Sequence, residues 1–200
     1  MGCTTSSDVD LKRYILFCGL DNAGKTTILN RIQNHIAHVS TDSTPGQSND
    51  PTARDFGEAA AEEMESVPTI GIETATITLG ETTVNVLDFS GRKQFRIHWK
   101  TFEEQTDLIV FVVDLSDPGR LEEAKETLHE HILSNPKLNH CPLLIVGNKN
   151  DIEGAAQLPE LVSSLFGEAM KGRAYHILST SAKTGEGLRE LIEWFLKKQV

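Results

Sequence analysis

Two hundred residues, 38% hydrophobic and 24% charged, allow one α/β domain with a real core and leave little room for a second. The net charge of −10 argues against nucleic acid as a partner, because such binders carry a basic face. No stretch reaches the roughly 20 apolar residues of a membrane span, and no charged-then-apolar leader opens the chain.

The three cysteines, Cys3, Cys18 and Cys141, are odd in number and far apart, which suits neither a disulfide framework nor a zinc cluster. A reducing compartment fits, with Cys18 and Cys141 as small buried residues. A cytosolic protein is expected unless something covalent tethers it.

The N-terminus supplies a candidate tether. Met1-Gly2-Cys3-Thr4-Thr5-Ser6 matches the myristoylation pattern at Gly2, and Cys3 beside it is a candidate for palmitoylation. Two acyl chains hold a membrane stably where one holds it only marginally. The competing reading is a chance match at an unmodified terminus. Residues 7–13 carry no apolar stripe, so lipid chains would do most of the holding.

Tyr14-Ile15-Leu16-Phe17-Cys18 reads as a buried strand. It runs into Gly19-Leu20-Asp21-Asn22-Ala23-Gly24-Lys25-Thr26, with Thr27 and an apolar helical pattern behind it. This is the G-x-x-x-x-G-K-[ST] phosphate loop in its proper strand-to-helix setting. Backbone N–H groups of Asp21, Asn22, Ala23, Gly24, Lys25, Thr26 and Thr27 are expected to wrap phosphates. The Lys25 ammonium reaches the β/γ oxygens, and the Thr26 hydroxyl binds Mg²⁺.

The helix after the loop is expected to fade near Ala37. Residues 38–67 then hold seven acids against one base, Arg54, and read as an acidic, low-complexity insertion with a short helix over Glu58–Met64. It is either a passive insertion or a partner-binding element.

Two β-like runs follow, Ile72–Leu79 and Thr82–Leu87, close enough to form an antiparallel hairpin. The hairpin ends in Asp88-Phe89-Ser90-Gly91, a D-x-x-G, before a polar helical stretch with Trp99 and Phe102. Leu108–Val113 is the most apolar run and reads as a central parallel strand. A helix starting at Pro118 follows, with Leu121, Leu128 and Ile132 towards the core. Strand Pro142–Val146, a helix around Leu158–Phe166 and strand Ala174–Leu178 come next. The last helix places Leu188, Leu191, Ile192, Phe195 and Leu196 on one face. This alternation gives an α/β fold, a six-stranded, mostly parallel, doubly wound sheet with one antiparallel edge strand. The ligand belongs at the C-terminal strand ends.

Asn148-Lys149-Asn150-Asp151 is N-K-x-D directly after a strand. The Asp151 carboxylate can accept from guanine N1–H and the exocyclic amino group together, and adenine offers no such pair. Lys149 can cover one face of the base, and Asn148 can tie this loop to the phosphate loop. Ser181-Ala182-Lys183 supplies a backbone N–H for guanine O6. Thr69 and Asp88, the latter through a water, complete an oxygen shell for Mg²⁺ around Thr26. Thr69 and the Gly91 N–H engage when a γ-phosphate is present and are released on its loss, the order–disorder switch of GTPases.

On these residues the chain resembles the Arf and Arf-like small GTPases of the Ras superfamily. The match lies in Gly19 to Thr27, Pro68-Thr69-Ile70-Gly71, Asp88 to Gly91 with Trp99, and Asn148 to Asp151. It runs from about residue 12 to 198, excluding the insertion. The Met-Gly-Cys-Thr terminus is similar to that of G-protein α subunits. The resemblance implies a Ras-like G domain over 12–200 behind a lipidated tail, 1–11. It also implies GTP/GDP with Mg²⁺ as ligands, and effectors, an exchange factor and a GTPase-activating protein as partners. A monomer is expected, held peripherally on the cytosolic face of a membrane by acyl chains, with no nucleic acid.

Three departures stand out. The amphipathic N-terminal helix of the family is missing. Lys25 and Thr69 lie 44 positions apart, longer than small GTPases need yet too short for a helical domain of at least ~50 residues. The residue after Gly91 is Arg92, where the family has a Gln that orients the attacking water. A guanidinium has donors only, so very slow intrinsic hydrolysis is expected, although Arg92 could stabilise transition-state charge as an arginine finger does. The alternative has Arg92 facing solvent and another group, such as Gln94, serving. Catalytic candidates are thus Lys25, Thr69, Gly91 and the altered Arg92. The function expected is a membrane-anchored molecular switch, with a hydrolysis-deficient GTP-bound scaffold as the alternative. A P-loop kinase or ATPase is disfavoured by Asn148 to Asp151.

Overall fold

The computed structural model describes residues 14–41, 52, 56–57, 67–79, 82–165, 170 and 173–198. The expected acylated tail with Gly2 and Cys3, most of the acidic insertion with its Glu58–Met64 helix, and the Gly80-Glu81 connection lie outside them.

Apolar runs of five or six residues with no polar face must be covered on both sides, and β1 (Tyr14–Gly19) is such a run. Its side chains alternate between two cores. Leu16 and Cys18 join Leu87, Phe89, Trp99 and Phe111 on one face. Ile15 and Phe17 join Ile28, Ile32, Val86, Val110 and Phe195 on the other. The period-two geometry of a strand makes this division automatic. The Cys18 thiol is completely buried, and burial pushes its pKa up; burial also raises the Cys141 thiol, to about 11. Both are packing residues.

Around β1 the sheet takes the order β2-β3-β1-β4-β5-β6. It comprises β2 (Ile72–Leu79), β3 (Thr82–Phe89), β4 (Thr106–Asp114), β5 (Leu143–Asn148) and β6 (Tyr175–Ser179). β2 pairs antiparallel with β3 at one edge. All other pairings are parallel. The expected six-stranded, doubly wound sheet with one antiparallel edge strand is the observed one.

The helices are α1 (Lys25–Thr41), α2 (Leu121–Leu128), α3 (Leu158–Leu165) and α4 (Leu188–Lys198). α2 opens on a 3₁₀ turn at Pro118–Arg120 and widens into a π turn over His129–Leu133. The segment after the D-x-x-G, Lys93–Gln105, is wound as 3₁₀ helix rather than α. Several boundaries differ from expectation. α1 continues through Thr41 instead of fading near Ala37, so His38 to Thr41 are helical rather than loop. Their residue types favour turns, but Val39 is only 3% exposed, and packing overrides propensity. β5 and β6 each end later than the apolar runs indicated, because Gly147, Asn148 and Ser179 stay in the ladder beyond them. Among the described residues, no helix is long and apolar enough to cross a membrane.

Candidate functional site

The turn between β1 and α1 can form only with unusual backbone. Gly19 takes φ +134°, Asn22 +62° and Gly24 +87°. At Gly19 a Cβ would sit 2.2 Å from the Val112 carbonyl oxygen, so only glycine lets β1 and β4 meet there. The turn and the start of α1 form one wall of a cavity of about 890 Å³. Asp21, Asn22 and Gly24 to Thr27 line that wall, and Val67 to Thr69, Ser90 to Arg92 and Lys149 close it. Ala23 is fully buried behind it.

Lys25 is 6% exposed. Its ammonium donates to the carbonyls of Leu20 (2.8 Å) and Gly19 (3.4 Å). Burial pulls its pKa down, and the Asp88 carboxylate opposes the shift.

Thr26, Thr69 and Asp88 come from three separate segments and converge. The Thr26 hydroxyl donates to Asp88 Oδ2 at 2.5 Å and lies 3.0 Å from the Thr69 hydroxyl, which is 3.4 Å from the same carboxylate oxygen. Burial raises the Asp88 pKa against the opposing hydrogen bond from Thr26. Its second oxygen, Oδ1, is buried with no hydrogen-bond partner among the described residues. Such an orphan is costly unless a ligand satisfies it. Two hydroxyls and a carboxylate form an oxygen-only donor set, which fits a small, hard cation such as Mg²⁺ that keeps several waters. Among the described residues, no cluster of three His, Cys, Asp or Glu offers a site for a different metal.

Gly91 lies flush on the phosphate loop: a Cβ there would be 2.2 Å from the Asp21 nitrogen. Its carbonyl accepts from Arg96 Nε at 2.8 Å. Arg96 is 5% exposed, and its other nitrogens reach Thr127 Oγ1 (2.9 Å) and Glu123 Oε1 (2.7 Å) on α2. Glu123 also accepts from Arg120 (2.9 Å), which returns to the Asp21 carboxylate at 2.9 Å. Burial works against the Asp21 carboxylate, but the Arg120 hydrogen bond and charge hold its pKa below the usual value. The hydrogen bond from Arg96 does the same for Glu123. A closed circuit thus joins the phosphate loop, α2 and the segment after the D-x-x-G. Arg96, Arg120 and Glu123 escaped sequence reading, since charged residues on helical patterns default to solvent. Arg92 is exposed and lines the cavity. Gln94 is exposed and is not among the lining residues.

On the opposite side Asn148 is 1% exposed and ties three segments together. Its Nδ2 donates to the Ala23 carbonyl at 2.9 Å, the link expected from sequence. Its Oδ1 accepts from Ala182 N (3.2 Å) and Thr180 Oγ1 (3.3 Å). Lys149 follows in a left-handed conformation, φ +66°, rare for a residue with a side chain. Its ammonium meets the Asp114 carboxylate at 2.7 Å. Ser181 and Ala182 are buried, while Asp151 and Lys183 are exposed. Neither Asp151 nor the Ser181 to Lys183 turn is among the cavity-lining residues; Asn148 links that turn to the cavity wall.

Comparison with known proteins agrees with this arrangement. The model of the ADP-ribosylation factor family matches residues 4–50 and 58–199. The chain is 36% identical over 184 residues to ADP-ribosylation factor-like protein 2 of Arabidopsis thaliana, covering 92% of this chain and 85% of that one. It is 32% identical to ADP-ribosylation factor-like protein 3 of Chlamydomonas reinhardtii, covering 92% and 89%. Among solved structures, the Arl6 BBS3 small GTPase from Trypanosoma brucei, with bound nucleotide analogue GppNp, aligns with a TM-score of 0.72 and 27% identity, over 93% of this chain and 96% of that one. The chain therefore belongs to the ADP-ribosylation factor family of small GTPases and is a guanine-nucleotide-binding protein.

Proposed function

We propose that this protein is an acyl-anchored, Arf-like GTP switch whose own hydrolysis is very slow. In this reading the backbone from Asp21 to Thr27 and the Lys25 ammonium hold the phosphates. Thr26 and Thr69 ligate Mg²⁺, and Asp88 holds it through a water; the cation supplies neutralisation of charge on the β- and γ-phosphates. The partnerless Asp88 Oδ1 supports that assignment. Asp151 reads the guanine edge, Lys149 covers the base, and Ser181 to Lys183 present an N–H to O6. Anchoring rests on the Gly2-Cys3 terminus, with two acyl chains holding a membrane where one would not. Effectors, an exchange factor and a GTPase-activating protein follow from membership in a switch family.

The observation that carries slow hydrolysis is Arg92. It borders the cavity directly after Gly91, where an attacking water must be oriented by a hydrogen-bond acceptor, and a guanidinium has none. Single-turnover hydrolysis by purified protein tests this. Arg92→Gln is expected to be at least about tenfold faster than wild type, and equal or slower turnover in the variant would sink the idea. The same residue favours a second reading, a GTP-bound scaffold that recruits partners without cycling. Adding cell extract separates the two, since a switch accelerates and a scaffold does not.

A further inference from the structure

Arg31 lies on α1 among the core residues Ile28 and Ile32 and is 4% exposed. A guanidinium so deeply placed must have its donors satisfied, and two different segments satisfy them. Nε donates to the Ala182 carbonyl at 3.0 Å. One terminal nitrogen donates to the carbonyls of Gly57 (2.9 Å) and Phe56 (3.3 Å). The Phe56 ring stacks on His35, one helical turn further along α1, with centroids 3.9 Å apart and planes 15° apart. Phe56 also seats against the turn that follows Lys183. Gly185 there has φ +84°, and a Cβ on it would lie 2.3 Å from Phe56 Cβ and 3.0 Å from the Gly57 carbonyl oxygen. That turn is fixed to the preceding tripeptide by Thr184 N to Ser181 Oγ (3.0 Å) and Gly185 N to Ser181 O (2.9 Å). The family model matches up to residue 50 and again from 58, so Phe56 and Gly57 belong to a piece of chain outside the family pattern.

We propose that Arg31 is a positioning residue for the guanine-reading loop, and that Phe56–Gly57, an addition of this chain, holds Arg31 and that loop in place. The proposal rests on the reading of Ser181 to Lys183 as the donor to guanine O6. Arg31 fixes the carbonyl of Ala182, and the peptide planes of Ala182 and its neighbours set where the loop's N–H groups point. A planar guanidinium that bonds two segments through different nitrogens constrains direction as well as distance, which an ammonium in its place would not. The expected consequence is selective: loosening Arg31 weakens whatever depends on O6 and leaves phosphate and ribose contacts untouched.

The test compares release of GDP with release of 6-thio-GDP, which keeps the N1–H and the 2-amino group but replaces the 6-oxygen with sulfur, a poor hydrogen-bond acceptor. Both are measured on the full chain with Mg²⁺. Wild type is expected to release the analogue at least about tenfold faster than GDP. If it holds both alike, the O6 reading itself is wrong and the proposal goes with it. Given that preference, Arg31→Lys is expected to speed GDP release about tenfold, the worth of a lost hydrogen bond, and analogue release less than about twofold. Phe56→Leu keeps the apolar cover but loses the His35 stack, so it gives the same selective pattern about threefold in size. It carries the test should Arg31→Lys fail to fold. Equal acceleration of both nucleotides would show Arg31 to be a structural residue only, and no change for either variant would overturn the proposal outright.

Discussion

The two sides of the site are built on opposite principles. The side at Asn148 closes on itself. One buried amide donates to Ala23 and accepts from Thr180 and Ala182, and Arg31 satisfies the Ala182 carbonyl and one on a further segment, Gly57. The side at Lys25 does not close. A buried ammonium makes do with two backbone carbonyls, and a buried carboxylate keeps one oxygen without a partner among the described residues. A self-satisfied network is frame, stable whether or not a ligand is bound. A set of buried, under-satisfied charges costs stability by itself and is repaid by binding. The difference separates the groups that serve the fold from the groups that a ligand would satisfy.

The largest effect that would sharpen this contrast is at Lys25. Lys25→Met is expected to weaken GTP binding about 100-fold or more, since charge-assisted hydrogen bonds to phosphate contribute ~1.5–3 kcal/mol each. The nucleotide-free protein should unfold at the same or a higher urea concentration, because a desolvated ammonium is replaced by an apolar chain of similar length. A fall in nucleotide-free stability would make Lys25 part of the frame and break the comparison.

Asn148→Ala gives the complementary result. It strands a buried carbonyl and two donors, so the nucleotide-free fold is expected to lose about 2–3 kcal/mol, read from urea midpoints without nucleotide. If the loss appeared only as weaker guanine binding, the Asn148 side would not be frame.

The smallest effect is a pH dependence at Asp88. Its pKa in the fold is raised above the ordinary value of 3.8, so the ionised form is disfavoured there. Its stabilising contribution is therefore complete below 3.8 and lost as pH rises through the raised value. In metal-free protein, acidification across that window should increase the stability of wild type relative to Asp88→Asn. With Mg²⁺ and GDP the sign reverses, because the cation and the proton compete for one carboxylate, and affinity should fall as pH falls. Parallel pH slopes for wild type and variant in both conditions would remove Asp88 from the ligand-dependent side.

Sequence made one of these two principles far easier to read than the other. Motifs at strand ends are local: Gly19 to Thr27, Asp88 to Gly91 and Asn148 to Asp151 each sit where an apolar run stops, and the strand period fixes the runs. The strand order and the antiparallel edge followed from the same alternation. Apart from Asn148, residues that wire segments together left no such trace. Arg31, Arg96 and Arg120 bond to groups 151, 31 and 99 positions away, and no periodicity encodes such separations. One was partly accessible. Ile28, Ile32, Ile36 and Val39 form a stripe that carries α1 beyond Ala37, and Arg31, next to that stripe, could have been suspected of burial. Phe56 was hidden by its acidic, turn-rich surroundings, where a single aromatic is the signal to weigh.

The circuit through Arg96 has a mechanical consequence. Gly91 cannot move far from Asp21 by itself, because its carbonyl accepts from Arg96 Nε at 2.8 Å, and a shift of about an ångström would stretch that bond past its usual length and leave a buried guanidinium short of an acceptor. Movement of Gly91 is therefore coupled to the Arg96 circuit, which has to move or break with it. Anything that pulls Gly91 from the phosphate loop acts on α2 and on Asp21 as well, through Glu123 and Arg120.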